Sequence, residues 1–313
     1  MQANMKSPVK KTPFLTKVGR NKELLSMLIP SLLLVIVFSY IPMGGVLIAF
    51  KRYNYVAGIF GSPWNGFKNF RFLFVSGKLW TLIQHTLLYN IAFIFLGMVV
   101  EVGFAVMLNE MRSVAFKKVS QSLMFLPHFI SWVVVATIML NIFGVHGVVN
   151  NLLKALGGGS FNLYSKTREW PLVMVLLKLW KSSGYGCVVY LAAIVGINPE
   201  IYEAAKIDGA NIWQRIFRIT LPCLRPTIVI MVLLAVGGIF RGDFGMFYQI
   251  VGNNQLLLES SDILDTYVYR SLISGTNMGM TAAASLLQSV LCFVTINIVN
   301  FTVKKIEPDY SLY

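Results

Sequence analysis

Charged side chains are scarce in this sequence. Asp, Glu, Lys and Arg together make up 13% of its 313 residues, about half the share that a soluble domain carries. Hydrophobic residues make up 56%. This balance leaves too little polar surface to cover a water-soluble core. The composition therefore excludes an ordinary soluble protein and predicts a chain that lies largely in lipid.

The sequence also lacks the residue patterns that build a catalytic or metal centre. Histidine and cysteine occur three times each, at His85, His128, His146, Cys187, Cys223 and Cys292. They show no metal-ligand spacing, and cysteines in or beside apolar runs act as small hydrophobes. The glycines at 157–159 are not followed by Gly-Lys-Ser/Thr, which excludes a Walker A phosphate loop. We therefore predict that this chain is not an enzyme and binds no metal or cofactor.

Apolar residues are gathered into six long runs. A membrane-spanning helix needs about 20 mostly apolar residues, and each run meets or approaches that length. The alternating pattern of a membrane β-barrel is absent. The runs cover residues 24–50, 82–108, 123–143, 172–196, 227–247 and 280–303. The sequence predicts an all-α, polytopic membrane protein with about six spans in a single domain, residues 24–303.

The positive net charge does not indicate a nucleic-acid partner. The formal charge is +14, but the basic residues lie between the apolar runs rather than on one face. With the N-terminus inside, the inner segments hold 15 Lys and Arg in 77 residues and the outer segments 9 in 89. Cytoplasmic loops carry such an excess. Both tails, residues 1–23 and 304–313, are therefore predicted to be cytoplasmic.

The first outer segment, residues 51–81, dilutes that bias because it carries five Lys and Arg residues and many aromatic ones. We predict an interfacial helix with an aromatic belt; a surface that meets an extracytoplasmic partner is the alternative. In the second outer segment, residues 148–153 are predicted to form a short interfacial helix before the flexible glycine turn.

A short helix is predicted in the loop between the fourth and fifth spans. Asn198 can cap a helix, and Pro199 suits its first position. The helix should run to about Ile207. Gly209 then ends it, since glycine readily adopts the positive φ angle that such an end requires.

A second short helix is predicted to follow in the same loop. Its apolar face comprises Ile212, Trp213, Ile216 and Phe217, which recur at helical spacing. Pro222 is expected to stop this helix and Pro226 to begin the next span. The residues alone leave two interpretations open, a docking element for a cytoplasmic partner or an amphipathic loop on the membrane surface.

The same loop resembles a known signature. Residues 203–205 read Glu-Ala-Ala, Gly209 follows at the fourth place, and residues 219–222 read Ile-Thr-Leu-Pro. This is similar to the EAA signature of the permease subunits of binding-protein-dependent ATP-binding-cassette importers. The resemblance covers most of the chain and implies the type I importer (MetI-like) permease fold, with residues 198–222 as the coupling loop.

The resemblance implies partners and a place for them. The residues that it assigns to ATPase docking are Glu203, Ala204, Ala205, Gly209, Ile212, Ile219, Leu221 and Pro222. Two separate ATPase subunits would bind ATP and magnesium. A second permease, usually a different chain, and an extracytoplasmic solute-binding protein would complete the transporter in the bacterial cytoplasmic (inner) membrane.

Residues 240–249 and 265–270 resemble the maltose-type sugar permeases, in particular those that import oligosaccharides from complex polysaccharides. Candidate residues of the substrate path are Lys181, Tyr185, Arg241, Asp243, Tyr248 and Gln288, since polar residues within a span usually face a cavity or the protein interior. For Glu101, structural pairing is expected ahead of substrate contact. The basic residues of 51–81 would suit an anionic oligosaccharide.

Two alternatives remain open from the sequence. One is an importer permease for another polar solute, such as a peptide or a phosphonate. The other is a secondary transporter in which Glu101 or Lys181 couples transport to an ion. That class usually shows two related halves, which this sequence lacks.

Overall fold

The structure is a computed structural model that describes residues 21–75, 77–159, 161–274 and 278–308. These residues form helices and connecting loops, with one isolated β-bridge between Lys51 and Trp64. The all-α fold class is therefore confirmed. Most of the two predicted tails, residues 1–20 and 309–313, lies outside the described residues.

The longer helices follow one another with short connections. In chain order they are α1 (Lys22–Phe50), α2 (Lys68–Val75), α3 (Lys78–Glu110), α4 (Val114–Phe129), α5 (Trp132–Phe143), α6 (Val148–Ala155), α7 (Trp170–Val195), α8 (Pro199–Ile207), α9 (Ile212–Val236), α10 (Phe244–Val251), α11 (Gln255–Ser261), α12 (Leu264–Ile273) and α13 (Met278–Ile306). Single helical turns also occur at Gly58–Gly61 and Leu163–Ser165.

Six helices in the described part of the chain are long and apolar enough to cross a membrane. They are α1, α3, the unit Trp132–Ala155 that contains α5 and α6, α7, α9 and α13. The predicted number of spans is confirmed. Because lipid offers no hydrogen bonds, spanning segments must satisfy their backbone internally, which helices do.

The third span differs from the prediction at its start. Residues 123–143 were expected to form one helix, but α4 ends at Phe129 and α5 begins at Trp132. Pro127 lies in the last turn of α4, and Ile130 is extended. The Ser131 hydroxyl accepts a hydrogen bond from the Val134 amide at 3.3 Å and so begins a new helix.

The fifth span also differs, at both ends. Residues 227–247 were expected to be helical, but α9 ends at Val236 and residues 237–243 are not helical. At the other end, Pro222 does not stop the preceding helix, since Ile212–Val236 is continuous. The expectation that Pro222 separates a loop helix from the span is wrong.

A widened turn explains how the helix passes Pro222. Residues Ile216–Thr220 form a π-helical turn that ends two positions before this proline. The same arrangement occurs in α1, where the π-turn Ile36–Tyr40 precedes Pro42. A proline ring clashes with the carbonyl four residues earlier, and the wider π-turn accommodates it without breaking the helix.

Clusters of buried side chains hold the spans together, and α3 with α7 is the most extensive helix pair. Near the start of α7, Trp170 packs with Phe247 of α10. Near its end, Ile194 packs with Leu108 and Leu224. A third cluster joins the end of α1 to α3, α12 and α13. Between the first two clusters, α3, α7 and α9 part and leave a cavity.

Candidate functional site

The coupling loop, residues 198–222, is built by local hydrogen bonds. The Asn198 side chain accepts from the Glu200 amide at 3.0 Å and starts α8. Gly209 has a φ angle of +75°, so the predicted glycine end of the helix is confirmed. Asn211 and Gln214 form a reciprocal capping box at 2.9 and 2.8 Å, which starts α9.

The loop exposes a broad apolar surface. Ile207 is 87% exposed and Trp213 65%, and the Trp213 ring stacks on Phe217 at 6.2 Å. Of the predicted docking residues, Glu203, Ala204, Gly209, Ile212 and Pro222 are exposed, and Ala205, Ile219 and Leu221 are half-buried. Exposed apolar surface rimmed by polar groups is typical of a protein-binding site.

Three contacts tie this end of the bundle together. The hydroxyl groups of Tyr202 in α8 and the buried Thr220 in α9 are 2.9 Å apart, within hydrogen-bond distance. Arg215 lies 3.6 Å from Glu110 at the end of α3. Arg225 forms an ion pair with Glu307, just beyond α13. Tyr202 and Thr220 thus connect α8 directly to α9.

A cavity of about 530 Å³ opens between the spans. Its polar lining residues are Asn90, Glu101, Lys178, Tyr190, Arg241 and Asp243, and its apolar lining includes Phe93, Met98, Val189 and Met231. Four of these side chains are charged, although spans rarely carry charge except at functional sites. We call this space the central cavity.

Two of the cavity's charges form a direct pair. The Lys178 ammonium donates to the Asp243 carboxylate at 2.8 Å, and it lies 5.9 Å from the centre of the Phe93 ring. The other carboxylate oxygen of Asp243 accepts from the Met246 amide at 3.1 Å and so begins α10. Asp243 therefore joins α7 to the helix that follows the break in the fifth span.

Glu101 lies against α7 at a glycine. A Cβ atom at Gly186 would overlap the Glu101 carboxyl group in its present position, so this glycine lets the carboxylate lie directly against α7. Glu101 makes no hydrogen bond or ion pair with another residue that the structure describes, and Lys178 is close enough to act on its charge. It lines the cavity, where a polar ligand can reach it.

The break in the fifth span, residues 237–243, is held by side chains from other helices. Asn90 of α3 donates to the carbonyls of Ile239 and Arg241 at 2.9 and 3.0 Å. A side chain from another helix thus satisfies carbonyls of a non-helical segment. Non-helical backbone in a membrane protein is tolerated where protein or a cavity satisfies its polar groups.

Gln288 of α13 and Asp265 of α12 complete this support. Gln288 donates to the Phe240 carbonyl at 2.6 Å and to the Asp265 carboxylate at 3.0 Å. Asp265 also accepts from the Gly242 amide at 2.7 Å. Burial, the largest influence on this carboxyl group, raises the pKa of Asp265. We call Asn90, Asp265 and Gln288 the clamp.

The predicted substrate-path residues are divided by the structure. Arg241 and Asp243 line the central cavity, whereas Gln288 is buried in the clamp. Lys181 is buried at the end of α4, where its ammonium donates to the His128 carbonyl at 2.7 Å. Tyr185 stacks on the His128 ring at 4.2 Å. These last two side chains connect α7 to α4.

Tyr248 belongs to an aromatic cluster beside the break. Its ring stacks on Phe244 at 5.2 Å and meets Tyr269 edge-on at 4.9 Å. The sequence reasoning did not single out Asn90 or give Asp265 a role. A polar residue inside an apolar run was the available indication for Asn90, since such residues usually face the protein interior.

Comparison with known proteins gives a consistent assignment. Residues 101–308 match the family profile described as binding-protein-dependent transport system inner membrane component. Protein LplB of Bacillus subtilis (strain 168) is 33% identical over 297 residues, which cover 95% of this chain and 93% of LplB. The polygalacturonan/rhamnogalacturonan transport system permease protein YteP of the same organism is 32% identical, with 96% and 93% covered.

Solved structures agree with these relatives. A chain of a bacterial ABC transporter involved in the import of the acidic polysaccharide alginate superposes with a TM-score of 0.83. It is 32% identical, and the match covers 94% of this chain and 99% of that one. The alginate transporter in complex with a periplasmic protein bound to alginate pentasaccharide gives a TM-score of 0.82.

Proposed function

Because this chain belongs to the family of inner membrane components of binding-protein-dependent transport systems, we propose that it carries a polysaccharide-derived oligosaccharide through its central cavity. The cavity itself is the observation that supports this most. It combines hydrogen-bonding groups with an aromatic ring and apolar walls, and sugars offer hydroxyls and apolar ring faces to such a lining. The names of YteP and of the alginate transporter concern transport of saccharides of this kind.

We propose that energy reaches the cavity through the coupling loop. Its exposed apolar surface suits a groove on a separate ATPase, which would bind ATP and magnesium. The contact between Tyr202 and Thr220 connects α8 to α9, so a partner that moves α8 would also act on α9. With the loop on the cytoplasmic side, both termini would be cytoplasmic, in the inner membrane of a bacterium.

A second permease, a different chain, would cover the open side of this one. The apolar stretch of α1 has no residue buried within the described fold. An apolar groove of about 500 Å³ also lies between α3 and α9, lined by Val102, Met107, Phe217 and Ile228 among others. The binding protein would dock at the opposite face from the coupling loop.

Reversing one charge on the coupling loop tests the proposal. In a transporter reconstituted with its second permease, ATPase and binding protein, Glu203→Lys should lower ATPase co-purification and ATP-driven uptake by at least about tenfold, since it reverses a charge at an interface. Glu23→Lys makes the same change on an exposed part of α1 and should leave both unchanged.

A stronger variant decides the matter. If Glu203→Lys combined with Gly209→Asp inserts at wild-type levels and still supports normal uptake, the coupling loop is not the docking element. Uptake that persists without any ATPase and collapses with a protonophore would instead assign Glu101 to ion coupling.

A further inference from the structure

Arg241 is a positive group in the central cavity without a fixed counter-charge. Its side chain is exposed and lines the cavity. Within the described ranges, its guanidinium makes no hydrogen bond or ion pair. Its planar donors match a carboxylate in a two-point contact.

None of the nearby acidic groups forms an ion pair with Arg241. Asp243 is paired with Lys178 at 2.8 Å and caps α10. Asp265 accepts from Gly242 and Gln288; the Arg241 charge favours its ionised form, but burial, the larger influence, raises its pKa. Glu101 lies against α7 at Gly186, and the charge that acts on it is that of Lys178. Arg241 is thus a cation of the cavity that no described carboxylate holds.

The clamp fixes the position of Arg241. Asn90 holds the carbonyl of Arg241 itself, Gln288 holds the carbonyl before it, and Asp265 holds the amide of Gly242 after it. The backbone on both sides of this one residue is therefore bonded to three different helices. The backbone that carries the arginine is thus fixed before a ligand binds, which lowers the entropy cost of binding.

We propose that Arg241 binds a carboxylate of the transported sugar, so that this permease favours oligosaccharides that contain uronic acid residues. The inference rests on the proposed function and names the substrate class of the same cavity. The basic residues of segment 51–81, which the sequence suggested for this purpose, are not among the cavity lining. The selective group is instead one arginine in the break of the fifth span.

The test compares acidic and neutral probes in the complete reconstituted transporter. The probes are trigalacturonate, trimannuronate, the methyl ester of trigalacturonate and maltotriose, each delivered by saturating binding protein. The wild type should take up at least one uronate faster than both neutral probes. Arg241→Gln should reduce that uptake about 10- to 100-fold, as expected for loss of a charge-assisted contact, and leave neutral uptake unchanged.

Two further variants define the role. Arg241→Lys keeps the charge without the planar donors and should restore part of the uronate preference. Arg71→Gln removes an arginine from the exposed surface of α2 and should leave the ratio of acidic to neutral uptake unchanged.

Each contrary result has a distinct meaning. If Arg241→Gln loses acidic and neutral uptake equally, Arg241 has a structural role. If the variant loses the second permease during purification, the counter-charge of Arg241 belongs to that subunit. Either result overturns the inference. Wild-type transport of maltotriose but of neither uronate also overturns it while the proposed function stands. If the wild type transports none of the probes and none of them stimulates ATP hydrolysis, the result counts against the proposed function itself.

Discussion

The chain interrupts its helices at two places near the fifth span, and the two interruptions are built differently. Residues 208–211, in the coupling loop, are held by a glycine with positive φ and by side chains within three positions. Residues 237–243, beside the cavity, are held by Asn90, Gln288 and Asp265, which lie 151, 48 and 23 positions from their partners. The turn at residues 208–211 can form from its own residues, whereas the break at residues 237–243 can form only after the helices of the bundle have packed together.

Among the variants that test this contrast, removing a donor from the clamp should have the largest effect on stability. Gln288→Leu removes the side-chain donor of the Phe240 carbonyl and leaves the Asp265 carboxylate with the Gly242 amide, at about 1–3 kcal/mol for the unsatisfied carbonyl. We expect a lower thermal unfolding midpoint of the purified protein and faster hydrogen exchange at the Gly242 amide.

The neighbouring Ser289 provides the matched control. Its exposed hydroxyl bonds only within α13, to the Ser285 carbonyl at 3.0 Å, so Ser289→Ala should change neither measurement. An unchanged midpoint for Gln288→Leu would show that the break is stable without its distant support, and the contrast between the two interruptions would disappear.

A smaller effect is expected at the local interruption. Gly209→Ala places a Cβ atom on a residue with φ of +75°, which costs about 1–2 kcal/mol. Amides 204–210 should then exchange roughly 5 to 30 times faster. Gly196→Ala is the control, because Gly196 has φ of −76° and a Cβ there would stand 3.4 Å from the nearest carbonyl oxygen. Equal exchange in both variants would contradict the role given to Gly209.

The smallest effect should come from the capping box. Asn211→Ala removes the side chain that accepts from the Gln214 amide at 2.9 Å, a change worth about 1 kcal/mol. The Gln214 amide should exchange about fivefold faster, while transport stays close to normal because Arg215 and Thr220 still hold the start of α9 to α3 and α8. Asn211→Asp retains the cap and should behave as wild type. If the Gln214 amide exchanges at the same rate in Asn211→Ala as in the wild type, the cap contributes nothing to the stability of this helix end.

These differences explain what the sequence could predict. The six spans, the helix Pro199–Ile207 and its glycine end follow from local hydrophobicity and capping, and the structure confirms them. The break at 237–243 was missed because its partners are far away in sequence. The prediction for Pro222 was wrong because the π-turn before it lets the helix continue past the proline. Composition does not reveal such a turn.

The site shows the same division. Arg241 and Asp243 were expected on a substrate path, and the structure places both on the cavity wall. Lys181 and Tyr185 also lie in a span, but they contact α4 rather than the cavity. A polar residue within an apolar run correctly indicated a side chain that faces the protein interior. It did not indicate whether that side chain contacts a ligand or another helix.

The uninterrupted passage of α9 through Pro222 gives the molecule a lever. Its 25 residues, Ile212–Val236, make a rod about 37 Å long at 1.5 Å per residue, so a tilt of roughly 5° at one end carries the other by about 3 Å. The capping box stands at one end of that rod and the break with Arg241 follows the other. A small rocking of the end next to the coupling loop would therefore displace the break, where we propose that the sugar passes, by about an atom's diameter as long as the π-turn at Ile216–Thr220 keeps its shape.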